Sequence, residues 1–174
     1  ILLGLLEPQK GSIFINGYET NKNLSSKYYG NVAYLPQEPV TLDESIETNI
    51  TLEHDRSIID EKKMYRSINK VNLASTIDNL SNGVKSLIGE DGIRLSGGQN
   101  KRLALARTLY HEKDFLILDE ATSSLDKDNE NFIAEQIKIL KGNHTIIIIS
   151  HQLNLLKYCN KIYKIDNKKI IEKN

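Results

Sequence analysis

The chain is poor in cysteine: Cys159 stands alone among 174 residues, so no intrachain disulfide is possible, which is consistent with a reducing compartment. No apolar run approaches the ~20 residues that a membrane-spanning helix requires. The apolar opening, Ile1 to Leu6, is too short for that and lacks the basic flank of a signal peptide. Neither sign of charge is in excess, because 23 lysines and arginines face 23 aspartates and glutamates. That balance weighs against a nucleic-acid partner gripped by a broad basic surface. Lys161, Lys164, Lys168, Lys169 and Lys173 do crowd the C-terminus, where they read as the solvated face of a hairpin. No internal repeat or low-complexity linker occurs, and 174 residues suffice for one domain with a sizeable core.

What is present is organised around Leu95-Ser96-Gly97-Gly98-Gln99. Behind it Leu103, Ala106 and Tyr110 form a helical stripe with Leu105 and Leu109 beside it. Ser96, followed three residues later by Gln99, has the form of a capping box, so a helix is predicted to begin here. Its start would offer unpaired N–H groups and the positive end of the helix dipole. Gly97 and Gly98 carry no side chains to keep a phosphate away. Ser-Gly-Gly alone would also suit an ordinary capped helix. The full string is expected on the order of once per million positions.

Along the rest of the chain, Ile1 to Leu6 reads as the last turns of a buried helix stopped by Pro8. Ser12 to Ile15 reads as a strand and Asn16-Gly17 as a hairpin turn. Val32 to Leu35 is a short buried strand, and Gln37 lies just past its end, where ligands collect in open α/β sheets. From Thr41 to about Tyr110 the chain turns mostly helical, with Met64, Tyr65, Ile68 and Val71 at core spacing. Phe115 to Leu118 is an apolar run ending in two carboxylates, Asp119 and Glu120. Asp126 is placed to cap a helix whose buried stripe is Ile133, Ile137 and Leu140. Ile146 to Ile149 is apolar on both faces, as a central parallel strand must be, and leads to Ser150-His151. Lys161 to Lys173 ends the chain as two strands turning around Asp166-Asn167. Strands alternating with helices predict an α/β doubly wound parallel sheet with a helical insertion.

Taken in order, these strings resemble the parts of an ATP-binding cassette (ABC) ATPase. Leu95 to Gln99 is similar to the signature motif, Phe115 to Glu120 to a Walker B strand, and Ser123-Ser124-Leu125-Asp126 to the D-loop. Thr145 to His151 resembles the strand ending in the switch histidine, and Val32 to Gln37 the strand entering the Q-loop. No P-loop string, G-x-x-x-x-G-K-[ST], occurs. Gly4 to Gly11 resembles the end of the helix that a P-loop opens, and the chain starts on Ile, so the expectation is a cassette truncated inside that helix.

The resemblance implies ATP and Mg2+. Asp119, with Gln37, would serve the metal, and Glu120 would be the general base or water-orienting group. His151 would bond the γ-phosphate, and Gln37 would also sense the attacking water. Read as residues alone, the two acids could be solvated loop charges, His151 a core histidine and Gln37 a plain loop residue. Ser96, Gly97, Gly98, Gln99 and Asp126 would act in trans, completing the nucleotide site of a second cassette in a head-to-tail dimer.

Residues 1–40 and 111–174 are expected to form the core subdomain, and 41–110 the helical subdomain. Leu42 to Ile46, followed by Asn49-Ile50, resembles the entry to the helical subdomain of exporter cassettes. Leu87 to Gly92 resembles the exporter X-loop, which touches the membrane domain. Leu42 to Ile46 and Tyr158 to Tyr163 are also similar to bacterial lipid-linked glycan flippases. The implied protein is an exporter ATPase at the cytoplasmic face of a membrane, a bacterial inner one, driving a transmembrane domain elsewhere in the protein or in a separate subunit. A soluble ABC ATPase of DNA repair or translation, or a non-catalytic cassette, are the alternatives. Without a P-loop, these residues alone are expected to be inactive and marginally stable.

Overall fold

The computed structural model describes residues 1–3, 5–15, 17–19, 28, 30–90 and 92–173. A short antiparallel pair, β1 (Phe14–Ile15) and β2 (Tyr18–Glu19), precedes the central sheet. That sheet is built from β3 (Val32–Leu35), β4 (Phe115–Asp119) and β5 (Thr145–Ile149), all parallel, in the order β3-β4-β5. Between β3 and β4 run α1 (Ile46–Thr51), α2 (Glu61–Lys70), α3 (Ala74–Asp78) and α4 (Gly97–Tyr110). The crossover from β4 to β5 is α5 (Lys127–Leu140), and a short α6 (Leu153–Leu156) follows β5. The chain closes with the antiparallel hairpin β6 (Ile162–Asp166) and β7 (Lys169–Lys173). The expected α/β class with a parallel sheet is observed.

One continuous core joins sheet and helices. Leu35, Leu116 and Leu118 from the strands are buried with Leu103, Leu105 and Ala106 of α4 and Ile133 and Ile137 of α5. Each such aliphatic side chain contributes about 1.5–3 kcal/mol relative to exposure. A buried polar junction fixes the helical segment. Asn49 of α1 accepts from the Leu42 N–H (2.9 Å) and donates to the Leu42 and Ser45 carbonyls (3.0 Å each). Arg107 of α4 donates to the Asn49 carbonyl (2.6 Å) and to the Val40 carbonyl (3.0 Å). Through these bonds α4 is tied both to α1 and to the loop after β3.

Some expectations need correction. No buried helix forms at the described residues of the opening: Leu5 and Leu6 are 78% and 69% exposed. Six residues are too few to hold a helix without packing against something. Tyr65, expected in the core, is 47% exposed, whereas Met64, Ile68 and Val71 are buried. On α2 the tyrosine sits at the margin of the apolar stripe, where a ring can lie half out. Among the described residues β4 is the central strand and β5 lies beside it at the edge, where none of the β5 residues is fully buried although Ile146 to Ile149 is apolar on both faces. The last turn is at Asn167-Lys168, one residue later than expected, and both residues have positive φ, as a two-residue type I′ hairpin loop requires. Gly4, Asn16 and Asp91, named in the readings of the opening helix, the first hairpin and the X-loop, lie outside the described residues.

Candidate functional site

Because β3, β4 and β5 are parallel, their C-terminal ends share one edge of the sheet, the edge at which α/β proteins hold ligands. Leu35 and Leu118 are register partners, so Gln37 and Glu120 each lie two residues beyond the same level. Asp119 ends β4. Glu120 follows with φ of +51°, and its N–H donates to the Ile149 carbonyl at 2.8 Å. A left-handed backbone costs a residue with a Cβ roughly 1–2 kcal/mol. His151 Nε2 comes within 3.7 Å of Glu120 Oε1; the histidine side chain is 98% exposed and the glutamate 12%. Gln37 is exposed in the loop after β3. The structure therefore places Gln37, Asp119, Glu120 and His151 at one edge of the sheet.

A second cluster lies at the start of α4. Ser96 caps the helix: its hydroxyl accepts from the Gln99 N–H (3.2 Å), and the Gln99 side chain accepts from the Ser96 N–H (2.8 Å). This is the predicted capping box. Gly97 opens onto free space, whereas a Cβ on Gly98 would lie 3.2 Å from the Ser124 carbonyl oxygen. Asp126 caps α5 through the Asn129 N–H (3.0 Å), and that bond with the Asn129 side chain (2.7 Å) keeps its carboxyl below the ordinary range. Ser96, Gly97, Gly98 and Gln99 face Ser124, Leu125 and Asp126 across an open cleft of about 460 Å³. The cleft does not include Glu120 or His151. The predicted residues thus fall into two groups rather than one site.

Two contributors escaped the sequence reading. Lys101, buried on α4, donates to the Glu120 carbonyl (2.7 Å) and to Ser123 Oγ. Burial lowers its pKa, and the nearby charges of Glu120, Asp119 and Glu38 act in the opposite sense. The signal was its spacing, since Lys101, Leu105 and Thr108 share one buried helical stripe. The other is Tyr34 of β3, whose hydroxyl is 3.5 Å from Asp119 Oδ2. Burial and then the Asp119 charge hold that hydroxyl above its ordinary range, so it stays a protonated donor. In sequence Tyr34 is an ordinary strand residue, and only the β3–β4 register reveals the pairing.

The chemistry of the donor set limits how a metal could be held. No group of three His, Cys, Asp or Glu side chains that could hold an ion occurs among the described residues. A resident, all-protein metal does not fit. Magnesium that arrives on a nucleotide fits, because it keeps several waters and takes only one or two carboxylates plus substrate phosphates. Asp119 supplies such a carboxylate at the strand end, with Gln37 in the neighbouring loop.

Asp43 to Ile46 also comes against Ser86 to Gly89. The Ile88 N–H donates to the Glu44 carbonyl (2.9 Å), and Ile46 N–H to the Ser86 carbonyl (3.0 Å). Gly89, at φ of +124°, lets Asp43 pass where a Cβ would sit 2.0 Å from its carboxylate oxygen. Only glycine fits there.

Comparison with known proteins gives one answer. The chain is 36% identical over 166 residues to ABC transporter B family member 1 of Dictyostelium discoideum, covering 95% of this chain and 18% of that protein. It is 35% identical over 172 residues to the ATP-dependent lipid A-core flippase of Saccharophagus degradans, covering 99% of this chain and 29% of the flippase. The fold superposes on a bacterial Atm1-family ABC exporter with ATP bound at a TM-score of 0.86 and 27% identity, covering 97% of this chain and 29% of the exporter. The chain thus spans less than a third of the length of these relatives. The ABC transporter family profile matches residues 1–123, more than half of the chain, and the signature string, carboxylate-ended strand and strand-end histidine stand in the family's order: the chain belongs to the ABC transporter family.

Proposed function

We propose that this chain is part of the nucleotide-binding cassette of an ABC exporter, in which ATP is bound between two head-to-tail cassettes and hydrolysed there. The observation that carries the reading is the separation of the two clusters. The signature cleft opens to solvent and leaves out the chain's own Glu120 and His151. A helix start with free N–H groups suits an anion, and a nucleotide held at the strand edge of a second cassette supplies one. Residues 1–40 and 111–174 make the core subdomain, and 41–110 the helical one.

In this reading Glu120 orients water and accepts its proton as the water oxygen attacks the γ-phosphorus. The bond to the β–γ bridging oxygen breaks, and ADP and phosphate leave. His151 and Gln37 bond the γ-phosphate and the attacking water, while Asp119 holds the metal. Magnesium, when bound, neutralises the charge building on the phosphate oxygens. From the opposite cassette, Ser96 and the N–H groups of Gly97 and Gly98 cradle the same phosphate, with Gln99 and Asp126 beside them. The Leu42–Ile46 and Leu87–Gly92 segments form the face toward the transmembrane domain, on the cytoplasmic side of the membrane. That face and the zero net charge disfavour a soluble repair or translation ATPase. The Glu120–His151 pair disfavours a non-catalytic cassette. The lipid A-core flippases among the relatives favour a lipid-linked cargo.

Ser96→Arg tests the trans arrangement in the intact protein. It would fill the helix start and prevent ATP-dependent pairing of cassettes measured by light scattering. Pairing equal to that of the unaltered protein would rule out the head-to-tail site.

A further inference from the structure

Lys101 lies within the second turn of α4 and is 4% exposed. A buried ammonium needs strong partners, and those of Lys101 belong to one short segment. Its Nζ donates to the Glu120 main-chain carbonyl (2.7 Å) and to Ser123 Oγ, and Ser123 Oγ donates to the same carbonyl (2.9 Å). The Ser123 N–H reaches it as well, at 3.1 Å. Three donors thus converge on one carbonyl oxygen. That carbonyl belongs to a residue at φ of +51°, and Ser124, four residues on, lies at +71°. A side-chain-bearing residue leaves the left-handed region unless its surroundings hold it there. Glycine would adopt the turn freely but has no carboxylate.

We propose that Lys101 is a positioning residue for Glu120: by clamping the Glu120 carbonyl it holds the left-handed turn that presents the Glu120 carboxylate to the attacking water. The proposal rests on the base role given to Glu120 above. An ammonium suits the task because its three N–H donors can serve the carbonyl and the Ser123 hydroxyl together. Placing it on α4 also ties the turn to a helix rather than to a loop. Misplacement of a reacting group by about 1 Å can cost on the order of a hundredfold in rate.

The test uses the intact protein with four substitutions. Lys101→Met keeps the length of the stem and removes the donors. Lys101→Gln keeps N–H donors without the charge. Ser123→Ala removes the hydroxyl arm, and Glu120→Gln removes the carboxylate. The proposal expects Lys101→Met to lower kcat by about tenfold to a hundredfold, with KM for ATP within about twofold and ATP-dependent pairing kept. Lys101→Gln should recover kcat to within about threefold of the unaltered protein. Ser123→Ala should lower kcat less than Lys101→Met does, and it supplies the measurement if the methionine variant does not fold. Unchanged kcat in both Lys101→Met and Ser123→Ala, beside an inactive Glu120→Gln, overturns the positioning role alone. Full activity in Glu120→Gln overturns the base assignment and this proposal with it. A lower melting temperature and higher KM in Lys101→Met at unchanged kcat would make Lys101 a packing residue, which also overturns it.

Discussion

His151 Nε2 and Glu120 Oε1 stand 3.7 Å apart, one just beyond the end of β5 and the other just beyond the end of β4. The contact joins an almost fully exposed ring to a largely enclosed carboxylate. Replacing Glu120 with glutamine keeps the shape of the pair and removes the carboxylate. In the intact protein Glu120→Gln should lower ATP hydrolysis by roughly 10²–10⁴-fold while ATP-bound, paired cassettes persist. Single-turnover assays check this, and near-normal turnover would contradict the role of Glu120.

Gly97 and Gly98 separate folding from phosphate approach. A Cβ at Gly97 meets nothing within 4 Å, so Gly97→Ala should fold as well as the unaltered chain or gain up to about 1 kcal/mol. It should still weaken ATP-dependent pairing, because the methyl stands where a phosphate would come. Gly98→Ala presses on the Ser124 carbonyl oxygen at 3.2 Å and should also lose stability. Denaturant midpoints and light scattering measure the two effects, and identical pairing in all three proteins would contradict the phosphate role.

His111, at the end of α4, should give the fold a pH dependence. Burial chiefly, and then the charges of Lys113, Lys63 and Arg107, lower its pKa from the ordinary 6.5, while Glu53 acts in the opposite sense. The unfolded chain therefore takes up the proton first. Stability should rise with pH from the folded-state pKa up to about 6.5 and be lost as pH falls through that window. His111→Gln should flatten the decline in Tm between about pH 7 and pH 5. An equal decline in both proteins would show that another group carries it.

A chain of these 174 residues alone should bind Mg-ATP weakly and hydrolyse none. It holds no P-loop string, and Asp119 and Glu120 repel a polyanion at the strand edge. Calorimetric titration checks this directly; micromolar binding would place the nucleotide elsewhere on the chain.

Local signals are legible in the sequence. The Ser96 cap, the Asp126 cap and the apolar runs of β3, β4 and β5 each follow from a few adjacent residues, and each is observed. Features set by distant partners were not legible. Lys101 acts on a residue 19 positions away, and Tyr34 meets Asp119 only through the β3–β4 register. The buried Asn49–Arg107 junction spans 58 positions, and no periodic pattern encodes it. The place of β5 in the sheet is likewise set by its pairing with β4 among the described residues, which the apolar run of Ile146 to Ile149 does not encode.

Under the base role proposed for Glu120, its positive φ sets a conflict between durability and turnover at a single residue. Glycine there would relieve about 1–2 kcal/mol of backbone cost and make the chain sturdier. A laboratory selection for expression or heat resistance alone should therefore drift toward glycine at this position, whereas one that also demands hydrolysis should hold the carboxylate. Thermostabilised forms of the protein are best sought away from residues 119–124, where each gain in rigidity risks the chemistry.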